Sequence, residues 1–367
     1  MLIEVGIIID NITNKAGTER AVSSLCNGLL KFHPEFYKIT IISIFSNKEE
    51  NSFFELNPKI NILHLEKSND FQFWNKVFWY KKLVRQIHEL NRENPFDVII
   101  GTTYVHNILL PLIVKNTKTK TIGCEHVVYN YPSKILQLVR KFVYTELNSV
   151  IVLNKTEQKN FYFLNNTNVI PNCLPFEADK RATLLEKSII SVGRLTHEKG
   201  FDMLIDIYEY IYRVEPNWKL NIFGEGEDFE ILETKIKEKG LENSIKLCGS
   251  VKNISECYLQ SSIFVLTSRS ESFGIVVIEA MNHGLPIVSY DCDGPKNIIA
   301  DNKSGFLIPQ FDKIEFSEKL LLLINSEEKR KEMGEMALAT SFEYKENKII
   351  PIWNKLLRSL IENRQSN

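Results

Sequence analysis

Short, uninterrupted apolar runs recur along this chain, and helical patterns separate most of them. Continuous apolar runs are typical of parallel strands that are covered on both faces. Alternation of such strands with helices predicts parallel sheets flanked by helices, which is an α/β fold. The runs form two series: 2–9, 38–45, 60–65, 97–101, 119–124 and 149–153, and then 188–192, 218–223, 244–248, 263–266, 286–289 and 305–308.

Two prolines, Pro171 and Pro175, and the charged stretch 177–187 that follows them separate the two series. Prolines and charges in such a stretch are typical of a linker, and 367 residues suit two domains better than one core. We therefore expect an N-terminal domain over 1–172, a linker over 173–187, a C-terminal domain over 188–345 and a final helical segment over 346–367.

The composition is that of a soluble globular protein, with 44% hydrophobic and 25% charged residues and a mean hydropathy of −0.15. No apolar run reaches the roughly 18 residues of a transmembrane helix, and the first ten residues predict a strand and not a signal peptide. We expect a cytoplasmic protein. The six cysteines show no metal-ligand spacing and are interpreted as small packed side chains: Cys26, Cys124, Cys173, Cys248, Cys257 and Cys292.

The net charge of −1 is unevenly distributed. Residues 1–175 hold 20 Lys and Arg against 15 Asp and Glu, and the remainder holds 25 against 31. A mildly basic N-terminal half is a weak sign of an anionic partner on that side. The asymmetry is too small to indicate nucleic acid, and no nucleic-acid motif is present.

Two carboxylates frame a predicted strand–turn–helix unit. Glu271 precedes a helix predicted from Gly274 to Asn282, which Gly284 ends, and the start of such a helix is a natural anion site. Glu279 lies inside the helix among apolar residues, where an ionised carboxylate needs partners. Spacing alone favours a structural ion pair or an exposed helix face for Glu279, and the alternative is hydrogen bonding to a pair of ligand hydroxyls such as those of a ribose.

Two motifs carry a family resemblance. Glu271-Ser-Phe-Gly-Ile-Val-Val-Ile-Glu279-Ala resembles the Glu-x7-Glu motif of retaining glycosyltransferases of the GT-B fold, specifically glycosyltransferase family 4. Upstream, Ser191-Val-Gly-Arg-Leu-Thr-His-Glu-Lys-Gly-Phe-Asp-Met-Leu-Ile205 is similar to the other nucleotide-sugar motif of that family. The resemblance is clear over roughly residues 187–309 and weaker before them.

The resemblance implies two Rossmann-like domains that face each other across a central cleft, the N-terminal one on the acceptor side and the C-terminal one binding the nucleotide sugar. It also implies that the last helix crosses back onto the first domain. It implies transfer of a hexose or N-acetylhexosamine from a UDP-sugar, with retention of configuration, to a hydroxyl of a glycan or polyprenyl-linked acceptor. Bacterial members often build capsule, O-antigen or related surface polysaccharides. No metal cofactor is expected, because Arg and Lys can neutralise the leaving diphosphate. The alternatives are a GT-B nucleotide-sugar epimerase and a non-catalytic sugar-binding protein.

The resemblance also implies roles for the charged residues of the two motifs. Arg194 offers a fork of donors and Lys199 a point charge, and both suit the leaving diphosphate. Glu279 is expected to hold the ribose. Glu271 is expected to hold hydroxyls of the transferred sugar and the positive charge that develops on it.

The backbone around these residues supplies the rest of the expected donor site. The start of the helix, at Phe273, Gly274 and Ile275, is expected to offer N–H groups. The nucleobase is expected against Cys248 to Val251, with Gly249 and Val251 as contacts. The glycine pair in 223–226 lacks the third glycine of a dinucleotide motif and is similar to the family's glycine turn near the nucleotide.

In the N-terminal half, the candidate ligand-binding residues are His126, His106 and Gly17, and each could instead be a purely structural residue. His126, in Glu-His-Val-Val-Tyr, resembles the family histidine beside the donor sugar, whereas His106 has no such support. Gly17 belongs to a turn that, with Thr18, is predicted to cap the following helix. Its N–H could face a donor phosphate or sugar, but a plain βα turn is favoured from this stretch alone.

The segment 71–85 interleaves aromatic residues with Lys and Arg. On a helix this pattern suits an anionic membrane surface, here the inner face of the cell membrane. A surface helix that buries its aromatic face on its own sheet is an equal alternative. Residues 133–144, with Lys134, Arg140 and Lys141, are a second candidate of the same kind.

Overall fold

The computed structural model describes residues 2–66 and 73–362, and the chain divides into two compact units. The first unit contains the described residues up to Cys173 together with those from Glu346 onward, and the second contains Leu174–Lys345. Residues 174–187, most of the predicted linker, contain no helix or strand and belong to the second unit.

The first unit alternates strands and helices. Its strands are β1 (Ile3–Ile9), β2 (Tyr37–Ser43), β3 (Asn61–His64), β4 (Val98–Gly101), β5 (Lys120–Cys124), β6 (Ser149–Val152) and β7 (Thr167–Val169). Its first helices are α1 (Gly17–Phe32), α2 (Phe73–Glu93), α3 (Tyr104–Ile113), α4 (Lys134–Val143) and α5 (Lys155–Asn160).

The second unit repeats the pattern, and the chain then returns to the first unit. The strands are β8 (Ser188–Val192), β9 (Lys219–Phe223), β10 (Ile245–Leu247), β11 (Ile263–Leu266), β12 (Ile287–Tyr290) and β13 (Gly305–Ile308). The helices are α6 (Phe201–Val214), α7 (Phe229–Glu238), α8 (Ile254–Leu259), α9 (Ile275–Asn282), α10 (Lys313–Asn325) and α11 (Glu327–Ser341), followed in the first unit by α12 (Glu346–Glu362).

Each unit has one sheet, and the described strand pairings in both sheets are parallel. The order is β3-β2-β1-β4-β5-β6-β7 in the first sheet and β10-β9-β8-β11-β12-β13 in the second. The strand order reverses between β1 and β4, and again between β8 and β11. In doubly wound sheets, ligands bind beyond the carboxyl ends of the strands at such reversals.

The first sheet is covered on both faces, which explains its continuous apolar strands. Along β1, Ile7 and Ile9 face a core shared with α1 and α12, whereas Ile8 faces a core shared with α2 and α3. The final helix α12 contributes Ile350 and Trp353 to the first of these cores. The predicted α/β architecture is therefore observed.

Three details differ from the sequence prediction or add to it. The strand β7 was not predicted, because Thr167–Val169 is short, half-exposed and lacks an apolar run. The helix α1 begins at Gly17 after Ala16, which makes no side-chain capping hydrogen bond, so the predicted cap by Gly17 and Thr18 is wrong. Of the helices within residues 2–66 and 73–362, none has the length and apolar character needed to span a membrane.

Candidate active site

The loops after β8 and β11 meet at the strand-order reversal of the second sheet. The loop after β8 carries Arg194 and a single 3-10 turn, His197–Lys199. The loop after β11 leads through Glu271 to Gly274, the residue before α9. The two sequence motifs therefore lie beside each other at the position where an α/β sheet binds its ligand.

A direct ion pair joins the two loops. Lys199 Nζ lies 2.5 Å from Oε2 of Glu271, and both side chains are largely buried. The turn that carries Lys199 is held close by Gly200, whose φ of +67° is left-handed and whose added Cβ would lie 2.1 Å from the carbonyl oxygen of Thr267. Arg194, by contrast, is exposed on the loop directly after β8.

Arg269 also joins these two loops. Its guanidinium donates to both carboxylate oxygens of Asp202, at 2.8 and 2.7 Å, and to the carbonyl oxygen of His197 at 2.6 Å. Its backbone N–H donates to the carbonyl oxygen of Glu198 at 2.7 Å. The hydrogen bond from Arg269 holds the pKa of Asp202 below its usual value. Arg269 and Asp202 were not predicted as site residues, although both lie inside or beside the two motifs.

Backbone hydrogen bonds join the neighbouring loops after β8, β9 and β10. Gly193 N–H donates to the carbonyl oxygen of Phe223 at 3.0 Å, and Gly224 N–H donates to that of Gly249 at 2.9 Å. A Cβ on Gly224 would lie 1.9 Å from the carbonyl oxygen of Gly193. The glycine turn is thus needed for close loop packing. Gly249 itself has a φ of +68° and open space where a Cβ would project, and Val251 follows it half-buried.

The helix α9 presents a buried carboxylate. Glu279 is 1% exposed, and its Oε2 accepts a hydrogen bond from the hydroxyl of Tyr258 at 3.0 Å. The exposed-face interpretation of Glu279 is therefore wrong. The helix begins after Gly274, at a φ of +90°. Tyr258 was not identified from the sequence, because a Tyr on a separate short helix carries no motif.

The turn before α9 is fixed against the loop after β12. Gly294 N–H donates to the carbonyl oxygen of Glu271 at 2.7 Å, and a Cβ on Gly294 would lie 2.5 Å from the backbone nitrogen of Phe273. The rings of Phe273 and Tyr344 pack edge to face, with centroids 5.7 Å apart. Phe273 and Ile275 are both buried. These contacts hold the backbone around Glu271 and the start of α9 in place.

In the first unit, His126 borders an apolar pocket at the carboxyl edge of the sheet. The pocket also touches Ala21 and Val22 of α1, close to Gly17. Burial lowers the pKa of His126 to about 4, so the imidazole is neutral near pH 7. At Gly17 an added Cβ would meet no atom within 4 Å, so packing does not require glycine there.

A buried network fixes the residue before His126. The carboxylate of Glu125 is paired with Arg140 at 3.1 Å and accepts hydrogen bonds from the hydroxyl of Tyr144 and from Nδ2 of Asn107. Arg140 is 0% exposed. Its assignment to a membrane-facing surface is therefore wrong: the charge points inward because Glu125 neutralises it.

The aromatic segment 71–85 is divided between the two interpretations. Phe71 and Gln72 lie outside the described residues. Trp79 packs inward and stacks on Phe45, with ring centroids 5.5 Å apart. Val77 and Phe78 are exposed, so one part of the helix packs on the sheet and another faces solvent.

One Asp-x-Asp triplet, residues 291–293, follows β12, and Asp293 is ion-paired with Lys296 at 2.5 Å. Across residues 2–66 and 73–362, no three His, Cys, Asp or Glu side chains are grouped so that they could hold a metal ion.

Known proteins resemble this chain along nearly its whole length. A model of the family described as glycosyl transferases group 1 matches residues 176–339. An uncharacterized glycosyltransferase of Haemophilus influenzae is 32% identical, covering 96% of this chain and 99% of its own. The amylovoran biosynthesis glycosyltransferase AmsD of Erwinia amylovora is 30% identical, covering 96% and 98%. A Campylobacter jejuni α-1,4-N-acetyl-D-galactosaminyltransferase, named for an undecaprenol-diphosphate-linked substrate, is 26% identical, covering 97% and 98%.

Solved structures show the same fold at low sequence identity. Sucrose-phosphate synthase from Thermosynechococcus elongatus superposes with a TM-score of 0.86 at 15% identity, covering 98% of this chain and 100% of its own. A variant of S. aureus TarM, in complex with fondaparinux, α-GlcNAc-glycerol and UDP, gives a TM-score of 0.81 at 16% identity, covering 97% and 100%. The fold is GT-B.

Proposed function

This chain belongs to the group 1 glycosyltransferases, and from that premise we propose that it transfers a hexose or N-acetylhexosamine from a UDP-sugar to a hydroxyl of a glycan or lipid-linked acceptor, with retention of configuration. The observation that carries the proposal is the pairing of Lys199 with Glu271 at the strand-order reversal of the second sheet. A cation and a carboxylate side by side suit a ligand that has a diphosphate next to a polyhydroxylated ring.

The cationic part of the site would act on the leaving group. Lys199 and Arg194 are assigned to the diphosphate, where positive charge stabilises the negative charge that develops as the bond to the sugar breaks. The N–H groups at the start of α9, around Gly274 and Ile275, would add to this stabilisation. No metal is proposed, since these groups can supply the positive charge.

The carboxylates would hold the two sugars of the donor. Glu279 is buried and hydrogen-bonded by Tyr258, which suits a fixed acceptor of hydroxyl hydrogen bonds from the ribose. Glu271 is assigned to hydroxyls of the transferred sugar. His126, neutral near pH 7, is assigned to the donor sugar, and Gly249 with Val251 to the nucleobase. Gly17, with open space beside it, is assigned to backbone contact with the donor.

The names of related proteins support a UDP-linked donor and a glycan or lipid-linked acceptor. The TarM variant was solved with UDP, the Erwinia relative is named for amylovoran biosynthesis, and the Campylobacter relative is named for an undecaprenol-linked substrate. We accordingly propose a UDP-linked donor and a role in bacterial surface-polysaccharide synthesis in the cytoplasm.

The helix α4 supports contact with the membrane that carries a lipid-linked acceptor. Ile135, Leu138 and Phe142 are 76%, 57% and 69% exposed, and their spacing places them on one face; this set is called the α4 face. Lys134 and Lys141 are exposed beside it. A helix that buries an arginine and exposes its apolar side chains has the polarity expected against lipid.

A thermal-shift panel tests the proposed donor. The protein is heated with UDP, GDP, ADP, UDP-glucose, UDP-N-acetylglucosamine or UDP-N-acetylgalactosamine, with EDTA present throughout. A uridine ligand at about one hundred times its Kd stabilises the folded state by about 2.7 kcal/mol, which is about 5–10 °C in Tm for a unit of this size. A shift with GDP or ADP alone, or with none of the nucleotides, would contradict the proposal.

A further inference from the structure

The strand-order reversal of the first sheet holds a second pair of facing polar side chains. Asp10 follows β1 directly, and His106 lies in the first turn of α3, just after β4. Since β1 and β4 flank the reversal, this pair occupies in the first unit the position that Lys199 and Glu271 occupy in the second. Such positions are where α/β sheets bind ligands.

The pair is asymmetric in exposure. His106 Nε2 lies 3.0 Å from Oδ1 of Asp10, and the imidazole side chain is 2% exposed whereas that of Asp10 is 52% exposed. The hydroxyl oxygen of Thr102 lies 3.5 Å from Nδ1 of His106, and the same hydroxyl donates a hydrogen bond to the carbonyl oxygen of Ile8. A carboxylate has about four acceptor sites, and the contact with His106 engages one oxygen. The enclosed histidine therefore supports a carboxylate that is open to a ligand.

The backbone at Asp10 is also fixed. Its carbonyl oxygen accepts hydrogen bonds from the N–H groups of Phe45, at 2.8 Å, and Ile44, at 3.1 Å. Burial raises the pKa of Asp10, but the hydrogen bond and the charge of His106 outweigh it and leave the pKa below its usual value. The carboxylate is thus ionised and held in one orientation near pH 7.

Two tyrosines lie near enough to this carboxylate for its charge to act on them. Burial raises the pKa of Tyr80 and of Tyr104, and the charge of Asp10 adds to the rise in both, after that of Tyr131 in the case of Tyr104. The ring of Tyr104 lies 6.4 Å from that of Tyr131, which is exposed. An oriented carboxylate with tyrosines nearby suits a neutral polyhydroxylated ligand, whose hydroxyls donate to the carboxylate while its apolar faces pack on aromatic rings. It does not suit an anion.

We propose that Asp10 binds the acceptor saccharide, with Tyr80 and Tyr104 beside it and His106 as the positioning residue that orients the carboxylate. This inference rests on the proposed glycosyl transfer. In it, the Asp10 carboxylate accepts a hydrogen bond from an acceptor hydroxyl. Asp10 is not among the residues assigned to the donor, so we expect donor binding and acceptor binding to respond separately to mutation.

The experiment measures acceptor binding separately from donor binding. Full-length parent and Asp10→Asn are compared with the UDP-sugars of the thermal-shift panel as donors and a panel of p-nitrophenyl hexosides and N-acetylhexosaminides as acceptor probes. Asp10→Asn should raise the acceptor KM by about 10- to 100-fold, because a charge-assisted hydrogen bond is lost. The variant should keep the parent's UDP affinity and its rate of donor hydrolysis without acceptor within twofold. Its Tm should stay within 2 °C of the parent's.

Asp97→Asn is the matched control. Asp97 lies at the opposite edge of the same sheet, where Oδ2 accepts from the N–H of Glu4 at 3.0 Å, and its replacement removes the same charge. Its acceptor KM should match the parent's. For His106, the Gln variant keeps an N–H donor toward Asp10 and the Leu variant does not, so acceptor KM should rise more in His106→Leu than in His106→Gln at equal UDP affinity.

Three results would overturn the inference. One is an unchanged acceptor KM in Asp10→Asn. Another is an equal loss of UDP affinity and acceptor binding, which indicates a structural role. The third is a parent protein that binds UDP but neither binds nor glycosylates any glycoside of the panel. Failure of the parent to bind UDP would instead overturn the proposed function on which the inference rests.

Discussion

Lys199 and Glu271 form an ion pair, with 2.5 Å between Nζ and Oε2, although 72 residues separate them in the chain. Each side chain therefore holds the other in place across two loops that Arg269 also fastens. A donor that engages both side chains must replace or share this contact. The proposed diphosphate and sugar positions are thus adjacent.

The first prediction concerns the diphosphate. Lys199→Ala and Arg194→Ala should each weaken UDP binding by about 10- to 100-fold, because each removes charge-assisted hydrogen bonds of about 1.5–3 kcal/mol. Calorimetric titration with UDP measures the effect. Lys331→Ala, at an exposed ion pair on α11, is the control and should bind UDP like the parent. The assignment fails if both site variants keep parental affinity.

The second prediction concerns the membrane. Serine at all three positions of the α4 face should reduce flotation with vesicles of anionic lipid at low salt, because apolar area and not charge is removed. Ile231→Ser, at a residue of the second unit with 66% exposure, should float like the parent. High salt should weaken flotation of the parent by screening its lysines. Equal flotation of the triple variant and the parent would contradict the role of α4.

The third prediction concerns His126. Burial lowers its pKa in the folded state to about 4, below the value of about 6.5 in an unfolded chain. Between these values the unfolded chain binds one more proton, so stability rises with pH across this window and is lost as pH falls. The Tm of the parent should fall more steeply than that of His126→Gln from pH 6.5 to 4.5. Parallel curves would show that His126 is not held neutral by burial.

Much of the fold could be predicted from the sequence, because buried parallel strands leave a local signal. The run Ile263–Leu266 is β11 as predicted, and the predicted helix after Gly274 ends at Asn282 as expected. The strand β7 had no such signal, since its residues Thr167–Val169 are half-exposed at the edge of the sheet. Local patterns thus identify central strands better than edge strands.

The sequence could identify residues of the candidate site, but it could not predict the contacts between them. The motifs brought Lys199, Glu271 and Glu279 forward, but the ion pair and the hydroxyl of Tyr258 depend on tertiary distances that no spacing encodes. For Arg140, the sequence pattern predicted the wrong environment. Beside Lys141 it resembled a solvated charge, and only the fold places it against Glu125, 15 residues earlier.

The fourth prediction is that replacing Glu279 and replacing Glu271 have different effects on the enzyme. Glu279 is assigned to the ribose, which does not react, so Glu279→Gln should weaken UDP binding. Tyr258→Phe, which removes the donor to Glu279 but leaves its charge, should weaken it less. Glu271 is assigned to the transferred sugar, where positive charge grows in the transition state, so Glu271→Gln should lower kcat more than it lowers UDP affinity. The Tm of each variant shows whether the fold survives.

The decisive experiment for the donor site is UDP calorimetry together with kcat, measured on Glu271→Gln and Glu279→Gln in the presence of EDTA. We predict about 10-fold or greater loss of UDP affinity in Glu279→Gln, and near-parental UDP affinity with reduced kcat in Glu271→Gln. Loss of UDP affinity in Glu271→Gln alone would reverse the two roles. Parental affinity and turnover in both folded variants would contradict the assignment of this site to a UDP-sugar.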